Sequence, residues 1–248
     1  MSNAKSTSGE EISEAKRAET FAAVKNMLES QDLYKAFDYV NSPGDPEQVG
    51  EHYSNLLNDF YWKDKNLYHV KAFGQAGIHY CLSQAEILRT QDSNRSVALK
   101  NQAKVIAFNL ASCVWPGWNE PGIIISSEDC RLGLEAAKLN LRLATELGDD
   151  DLKMSNSYWM VGAQYLANQK YDEAAASFEK SREMAHRAGE KEYEFMAEGY
   201  LAITGIISGD KTGHDRLGEA TRKLTEIGSD DALFFLDQFN TVLNTFIK

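Results

Sequence analysis

Apolar side chains in the second half of the chain recur every three or four residues, the period of an α-helix with one buried face. We expect one such helix to begin at Ser126 or Ser127, where Asp129 can complete a cap, and to end at Gly148. Its apolar positions are separated by four, three, four and four residues: Leu132, Ala136, Leu139, Leu143 and Leu147.

The same pattern predicts helices along nearly the whole chain, and only four prolines interrupt it. Residues 1–8 are small and polar, which predicts disorder, and Ser8 with Glu11 then forms a capping pattern. The last helix has Phe235, Phe239 and Val242 on one side and polar residues on the other, as a helix that caps the end of a stack requires. The other helices are expected at about residues 9–30, 32–40, 46–65, 66–90 and 96–114, with a hairpin at 156–187 and the last helix at 230–248.

The hairpin carries a pattern of large and small residues with fixed spacing. Gly162 permits close approach of the two helices, and an aromatic residue of the second helix is expected to fill the space. A weaker copy of the first four positions occurs earlier, at Phe73, Ala76, Gly77 and Tyr80. The positions of the full pattern are Tyr158, Val161, Gly162, Tyr165, Ala174 and Phe178.

Three glycines, Gly148, Gly189 and Gly228, are separated by 41 and 39 residues, and acidic residues follow each of them. A glycine ends a helix well, and acidic side chains stabilise the first turn of the next helix. We interpret this as three successive helical units of about 40 residues. We therefore predict a single domain over residues 9–248, irregular over residues 9–125 and more regularly repeated over residues 126–248.

The hairpin pattern resembles the tetratricopeptide repeat family, with fair specificity over about residues 131–248 and weakly over about residues 66–114. The resemblance implies an all-α fold: a right-handed α-α superhelix of ten to eleven antiparallel helices with a capping C-terminal helix. In that family the inner helices line a concave surface that binds extended peptides or partner helices. The facing positions here would be Asn156, Trp159, Ala163 and Leu166, and in the following unit Glu198 and Leu201.

Members of the family that clamp a terminal carboxylate use Lys and Asn at the facing positions, where this chain has Trp159 and Ala163. We therefore expect an aromatic, weakly acidic groove that binds a neutral or basic protein or peptide. The formal net charge of −11 agrees with this partner and disfavours nucleic acid and anionic membranes.

Residues 115–122, WPGWNEPG, interrupt the helical pattern with two tryptophans, two prolines and two glycines. In one interpretation this loop forms a binding site from Trp115, Trp118, Asn119 and Glu120. In the other, which we prefer, the tryptophans fill a space inside the fold.

The loop also affects which of the earlier helices are inner and which are outer. Counted back from Gly148, the helix with Phe73 and Gly77 is an outer one, although its pattern resembles an inner helix. Either the earlier pattern is accidental, or residues 115–125 replace a missing helix, which we slightly prefer.

Catalytic patterns are not evident. The five histidines form no HExxH or paired arrangement, and Cys81, Cys113 and Cys130 form no CxxC pair. We expect buried thiols, no metal site and no cofactor. Because the N-terminus lacks an apolar signal segment and no stretch is long enough to span a membrane, we expect a cytoplasmic protein.

Two functions follow from these observations. We favour a non-catalytic scaffold that binds a protein or peptide in the groove lined by Trp159. The alternative is an all-helical enzyme or small-molecule sensor with a pocket under residues 115–125.

Overall fold

A computed structural model describes residues 13–30 and 32–247. These residues form eleven α-helices and one short 3-10 helix, η1, with no strand, which confirms the all-α prediction and the expected number of helices. The α-helices are α1 (Glu14–Glu29), α2 (Leu33–Asn41), α3 (Pro46–Trp62), α4 (Leu67–Leu88), α5 (Ser93–Cys113), α6 (Ser127–Leu147), α7 (Asp151–Ala167), α8 (Tyr171–Ala188), α9 (Lys191–Ser208), α10 (Gly213–Ile227) and α11 (Asp230–Phe246); η1 is Pro116–Trp118.

The helix ends follow the local sequence signals. Ser126 and Asp129 form the predicted capping box at the start of α6. Gly148, Gly189 and Gly228 each end a helix in the left-handed conformation, with φ of 68°, 80° and 65°. These glycines therefore mark the helix boundaries that the sequence predicted.

The chain forms two compact units, Met1–Ile106 and Ala107–Lys248, and the boundary between them falls inside α5. The prediction of a single domain stays a prediction. The predicted disorder of residues 1–8 and the cap at Ser8 and Glu11 lie outside the described residues; within them, Ser13 caps α1 by accepting a hydrogen bond from the Lys16 amide.

The first unit has an aromatic core and a partly buried ion pair. Phe60 stacks on Phe73 at 5.2 Å between ring centroids, and both side chains are fully buried. Above this core, Arg17 of α1 donates two hydrogen bonds to the buried Asp59 of α3, at 2.7 and 3.1 Å. The ion pair therefore connects α1 to α3.

The second unit is a series of helices in which each packs on the next along the chain, from α6 to α11. Close approach of α7 and α8 depends on Gly162, since a Cβ atom there would lie 2.7 Å from the Phe178 ring. α11 packs on α9, α10 and η1 and buries Phe235, Phe239 and Val242, as its sequence pattern predicted.

The two glycine-containing patterns pack differently. Gly162 of α7 faces Phe178 of the following helix, whereas Gly77 of α4 faces Tyr53 of the preceding helix, 2.6 Å from a Cβ atom built on the glycine. The resemblance between the two quartets therefore does not extend to their packing.

Two further sequence expectations can be compared with the structure. The three cysteines are free and buried, as predicted. Among the described residues, no helix is long and apolar enough to cross a membrane.

Candidate functional site

The tryptophans of residues 115–122 lie inside the second unit. Trp115 is 1% exposed, and its indole nitrogen donates a hydrogen bond of 3.0 Å to the carbonyl oxygen of Ala163 on α7. Its ring packs edge-on against Trp118 and Trp159, with centroids 5.0 and 5.6 Å apart. Trp159 in turn packs edge-on against Tyr200 of α9 at 5.4 Å. We call Trp115, Trp118, Trp159 and Tyr200 the aromatic cluster.

The local sequence explains why Trp115 can turn inward. Pro116 begins η1, and a Cβ atom at position 117 would lie only 2.3 Å from the Trp115 ring, so the ring requires glycine there. Asn119 ends the turn in the left-handed conformation, with φ of 47°. The short helix therefore folds the indole back onto its own backbone and into the interior.

The structure buries three of the residues that the sequence placed on a binding surface. Trp159 is 6% exposed, and Ala163 and Leu166 are completely buried. Trp115 of the loop and Tyr200 cover Trp159, and the Trp115 indole also bonds to the carbonyl oxygen of Ala163. Burial also raises the pKa of the Tyr200 hydroxyl, which donates a hydrogen bond of 2.9 Å to Gln238 of α11.

The other predicted residues of the loop and of α7 are accessible to different degrees. Asn119 is exposed, and Asn156, Trp118 and Glu120 are half-buried. The Trp118 indole nitrogen donates to the carbonyl and hydroxyl oxygens of Ser112, at 2.9 and 3.1 Å. Trp118 is therefore held in place while part of its ring faces solvent.

Glu198 and Leu201, the other two predicted residues, line an open groove of about 310 Å³ on the second unit. Residues of three consecutive helices line it. Its lining carries three carboxylates and three cationic groups around one apolar side chain. We call this the charged groove; its residues are Glu179 and Arg182 of α8, Glu198 and Leu201 of α9, and Arg216, Glu219 and Lys223 of α10.

Ion pairs hold the charged side chains of the groove in place. Lys223 donates to Glu198 at 2.8 Å and lies 4.8 Å from the centroid of the Phe195 ring. Arg182 donates two hydrogen bonds to Glu179, which lowers the pKa of that carboxyl group. The lining is therefore a set of oriented charges of both signs.

Glycine and helical spacing both contribute to the geometry of the groove. A Cβ atom at Gly205 of α9 would lie 2.8 Å from the guanidinium of Arg216, so the glycine leaves room for that side chain. Arg216 also pairs with Asp210 in the turn before α10. Glu179 and Arg182 are three residues apart, the separation at which two side chains meet on one helix face.

Five groove residues were not identified from the sequence: Glu179, Arg182, Arg216, Glu219 and Lys223. The pairing of Glu179 with Arg182 was visible as a three-residue spacing, but such pairs are common on solvated helix faces. The contact between Glu198 and Lys223 joins residues 25 positions apart. No local pattern reveals it.

The first unit contains a smaller polar site beside its ion pair. His52 is buried, neither of its ring nitrogens has a hydrogen-bond partner, and burial lowers its pKa, with a further contribution from Lys16. A cavity of about 10 Å³ lies next to it, lined also by Arg17 and Asp59, which is room for about one water molecule. The cavity is too small for a substrate.

Among the described residues, no three His, Cys, Asp or Glu side chains are grouped to hold a metal ion. No protein-family model and no curated protein matches the chain. We therefore infer function from the geometry of the second unit.

Proposed function

We propose that the protein is a non-catalytic scaffold of the tetratricopeptide-like type, which binds another protein through the charged groove of α8, α9 and α10. The observation that carries the proposal is the open groove itself, in which oriented charges of both signs surround Leu201. A partner segment that carries both acidic and basic side chains matches such a lining.

The packing of α7 on α8 supports the repeat type. In the hairpin pattern, a glycine of the first helix meets an aromatic residue of the second, and Gly162 and Phe178 meet in this way. The sequential packing of α6 to α11 is also compatible with a helical repeat. The proposed binding surface includes Glu198 and Leu201 but not Trp159, because Trp159 lies in the aromatic cluster.

A scaffold accounts for the groove better than an enzyme or a small-molecule sensor does. Catalytic groups usually have pKa values shifted toward their task, whereas the Glu179 carboxyl has its pKa lowered by an ordinary ion pair with Arg182. Beneath the loop of residues 115–125, where the alternative function needs a pocket, indole and phenol rings pack on one another. A cytoplasmic location belongs to the proposal and is supported by the three free thiols.

Site-specific photo-cross-linking tests this function. A photoreactive amino acid at position 219, in the groove, should capture one defined partner from a lysate of the source cells. The same group at Thr225, exposed on α10 but outside the groove, is the matched control.

The captured protein should be lost when Lys223→Glu and Arg182→Glu are combined in the position 219 variant, since both changes reverse groove charges. Equal capture from positions 219 and 225, or capture that survives both charge reversals, would contradict the proposal.

A further inference from the structure

The outer face of α11 is an exposed surface that the charged groove does not include. α11 buries Ala232, Phe235 and Phe239 on one side. On the other side Leu233 is 52% exposed and Phe234 is 53% exposed. Two adjacent large apolar side chains exposed to this extent form an apolar patch, the kind of surface that often contacts another molecule.

Trp118 extends this apolar surface. Its ring is roughly parallel to that of Phe234, with 6.4 Å between centroids and 30° between planes. Two hydrogen bonds to Ser112 fix the Trp118 indole, and together with the Phe234 ring it forms an aromatic platform. Fixed aromatic side chains lose little conformational entropy on binding and are frequent anchors of interfaces.

Carboxylates lie at both ends of the platform. Asp230, Phe234 and Asp237 occupy positions i, i+4 and i+7 of α11 and therefore share one face of the helix. The two aspartates are about 10 Å apart along the axis, at about 1.5 Å per residue. Both are exposed, and within the described part of the chain no cation pairs with either of them. We call Asp230, Leu233, Phe234 and Asp237 the α11 stripe.

The surroundings of the stripe are also negative. α11 contains three aspartates and no Lys, Arg or His. Next to it, Tyr193 of α9 donates a hydrogen bond of 3.1 Å to Asp231. Burial raises the pKa of Tyr193, and Asp231, Glu190 and Glu192 raise it further, which shows that several carboxylates act on the same place. This charge opposes binding of a second copy through the same face and favours a cationic partner.

We propose that the α11 stripe and Trp118 form a docking surface for a basic amphipathic helix of another protein. One or two large apolar side chains of that helix rest on Phe234, Leu233 and the Trp118 ring. Lys or Arg residues about seven positions apart, on either side of the apolar ones, pair with Asp230 and Asp237. This surface is separate from the charged groove, so the inference does not depend on the proposed function.

Fluorescence anisotropy with designed peptides tests the proposal on the full chain. The probe is a labelled 16-residue Ala-rich helix with Lys at two positions seven apart and Leu at the third and fourth positions between them. One comparison peptide replaces Lys by Glu, and another has the same composition in scrambled order. We expect the basic amphipathic peptide to bind at least 10-fold more tightly than either, and to weaken as salt concentration rises.

Variants of the protein locate the binding. Combining Leu233→Ser with Phe234→Ser should weaken the basic peptide at least 10-fold, and combining Asp230→Asn with Asp237→Asn should weaken it several-fold. Ile124→Ser, at a residue 90% exposed in the loop before α6, is the matched control and should bind as the unaltered protein does. All these side chains are exposed, and circular dichroism verifies that each variant folds.

Three results would overturn the proposal. All three peptides could bind equally well, or the variant with Leu233→Ser and Phe234→Ser could bind the basic peptide as tightly as the unaltered protein does. The third is a dimer in sedimentation analysis that this variant abolishes. The last result would assign the stripe to a second copy of the chain. The variant with Lys223→Glu and Arg182→Glu should still bind the peptide. A failure of the charged groove as a binding site can therefore be distinguished from a failure of the α11 stripe.

Discussion

The aromatic cluster and the charged groove lie in the same unit, and both contain residues predicted from the sequence to form one binding surface. In the aromatic cluster Trp159 is buried by Trp115 and Tyr200. In the charged groove Glu198 and Leu201 remain accessible between α8 and α10. The helices of the second unit thus offer several faces, and the tryptophans of residues 115–122 occupy the one that contains Trp159.

The largest expected effect is on the free energy of unfolding, and it distinguishes a buried tryptophan from an exposed one. Trp115→Ala should reduce the free energy of unfolding by about 3 to 5 kcal/mol, because it leaves a cavity and removes the hydrogen bond to Ala163. Trp62→Ala, at a residue 60% exposed, should change it by less than about 0.5 kcal/mol. Urea denaturation measures both, and similar losses in the two variants would refute the assignment of Trp115 to the core.

A second prediction tests the close packing beside the cluster. Gly162→Ala places a methyl group 2.7 Å from the Phe178 ring and should cost about 1 to 3 kcal/mol. Gly218→Ala on α10, where nothing lies within 4 Å of the new Cβ atom, should instead stabilise by about 0.5 to 1 kcal/mol through its better helix propensity. Thermal unfolding compares the pair, and the packing account fails if Gly162→Ala is neutral.

A third prediction concerns a buried polar group of the first unit, His52. Burial lowers the pKa of His52 below the value of about 6.5 that an unfolded chain gives it. The unfolded state therefore binds a proton first as pH falls, so the free energy of unfolding should decrease as pH falls below about 6.5. The decrease should be smaller in His52→Gln.

The control for this pH series is His214→Gln, which changes an exposed histidine of α10. It should retain the full decrease seen in the unaltered protein. The same pH dependence in His52→Gln as in the unaltered protein would mean that His52 takes up a proton in the folded state as readily as in the unfolded one.

The smallest expected effect on stability belongs to the charged groove. Lys223→Ala removes the ion pair with Glu198, whose side chain is partly exposed, and should cost less than about 1 kcal/mol. The variant should unfold at nearly the same urea concentration as the unaltered protein. A loss comparable to that of Trp115→Ala would show that the groove charges support the fold and are not available to a partner.

The fold was more accessible to sequence reasoning than the site. Helix ends depend on local chemistry, so Gly148, Gly189 and Gly228 could be read as stops, and all three are C-terminal caps in the left-handed conformation. The indole of buried Trp115 donates its hydrogen bond to a carbonyl group 48 residues away, at Ala163. Spacing within the loop carries no information about that contact, and both interpretations of the loop therefore stayed open.

The residues of the candidate surfaces were equally difficult to predict from the local sequence. Lys223 and Glu198 lie on different helices, and each has the pattern of an ordinary solvated charge. The exposure of Phe234 was not evident either, since its neighbour Phe235 is buried on the same helix. Helical periodicity assigns a face to each residue, but what covers that face is decided by packing between distant segments.

The most direct test of the contrast between the two regions is acrylamide quenching of tryptophan fluorescence in the Trp62→Phe variant. Its three remaining tryptophans, Trp115, Trp118 and Trp159, all belong to the aromatic cluster. We predict emission at shorter wavelength than in the unaltered protein, and quenching far weaker than that of the same variant unfolded in urea. Quenching of the folded variant as strong as in urea would show that the face with Trp159 is open, and would contradict the account.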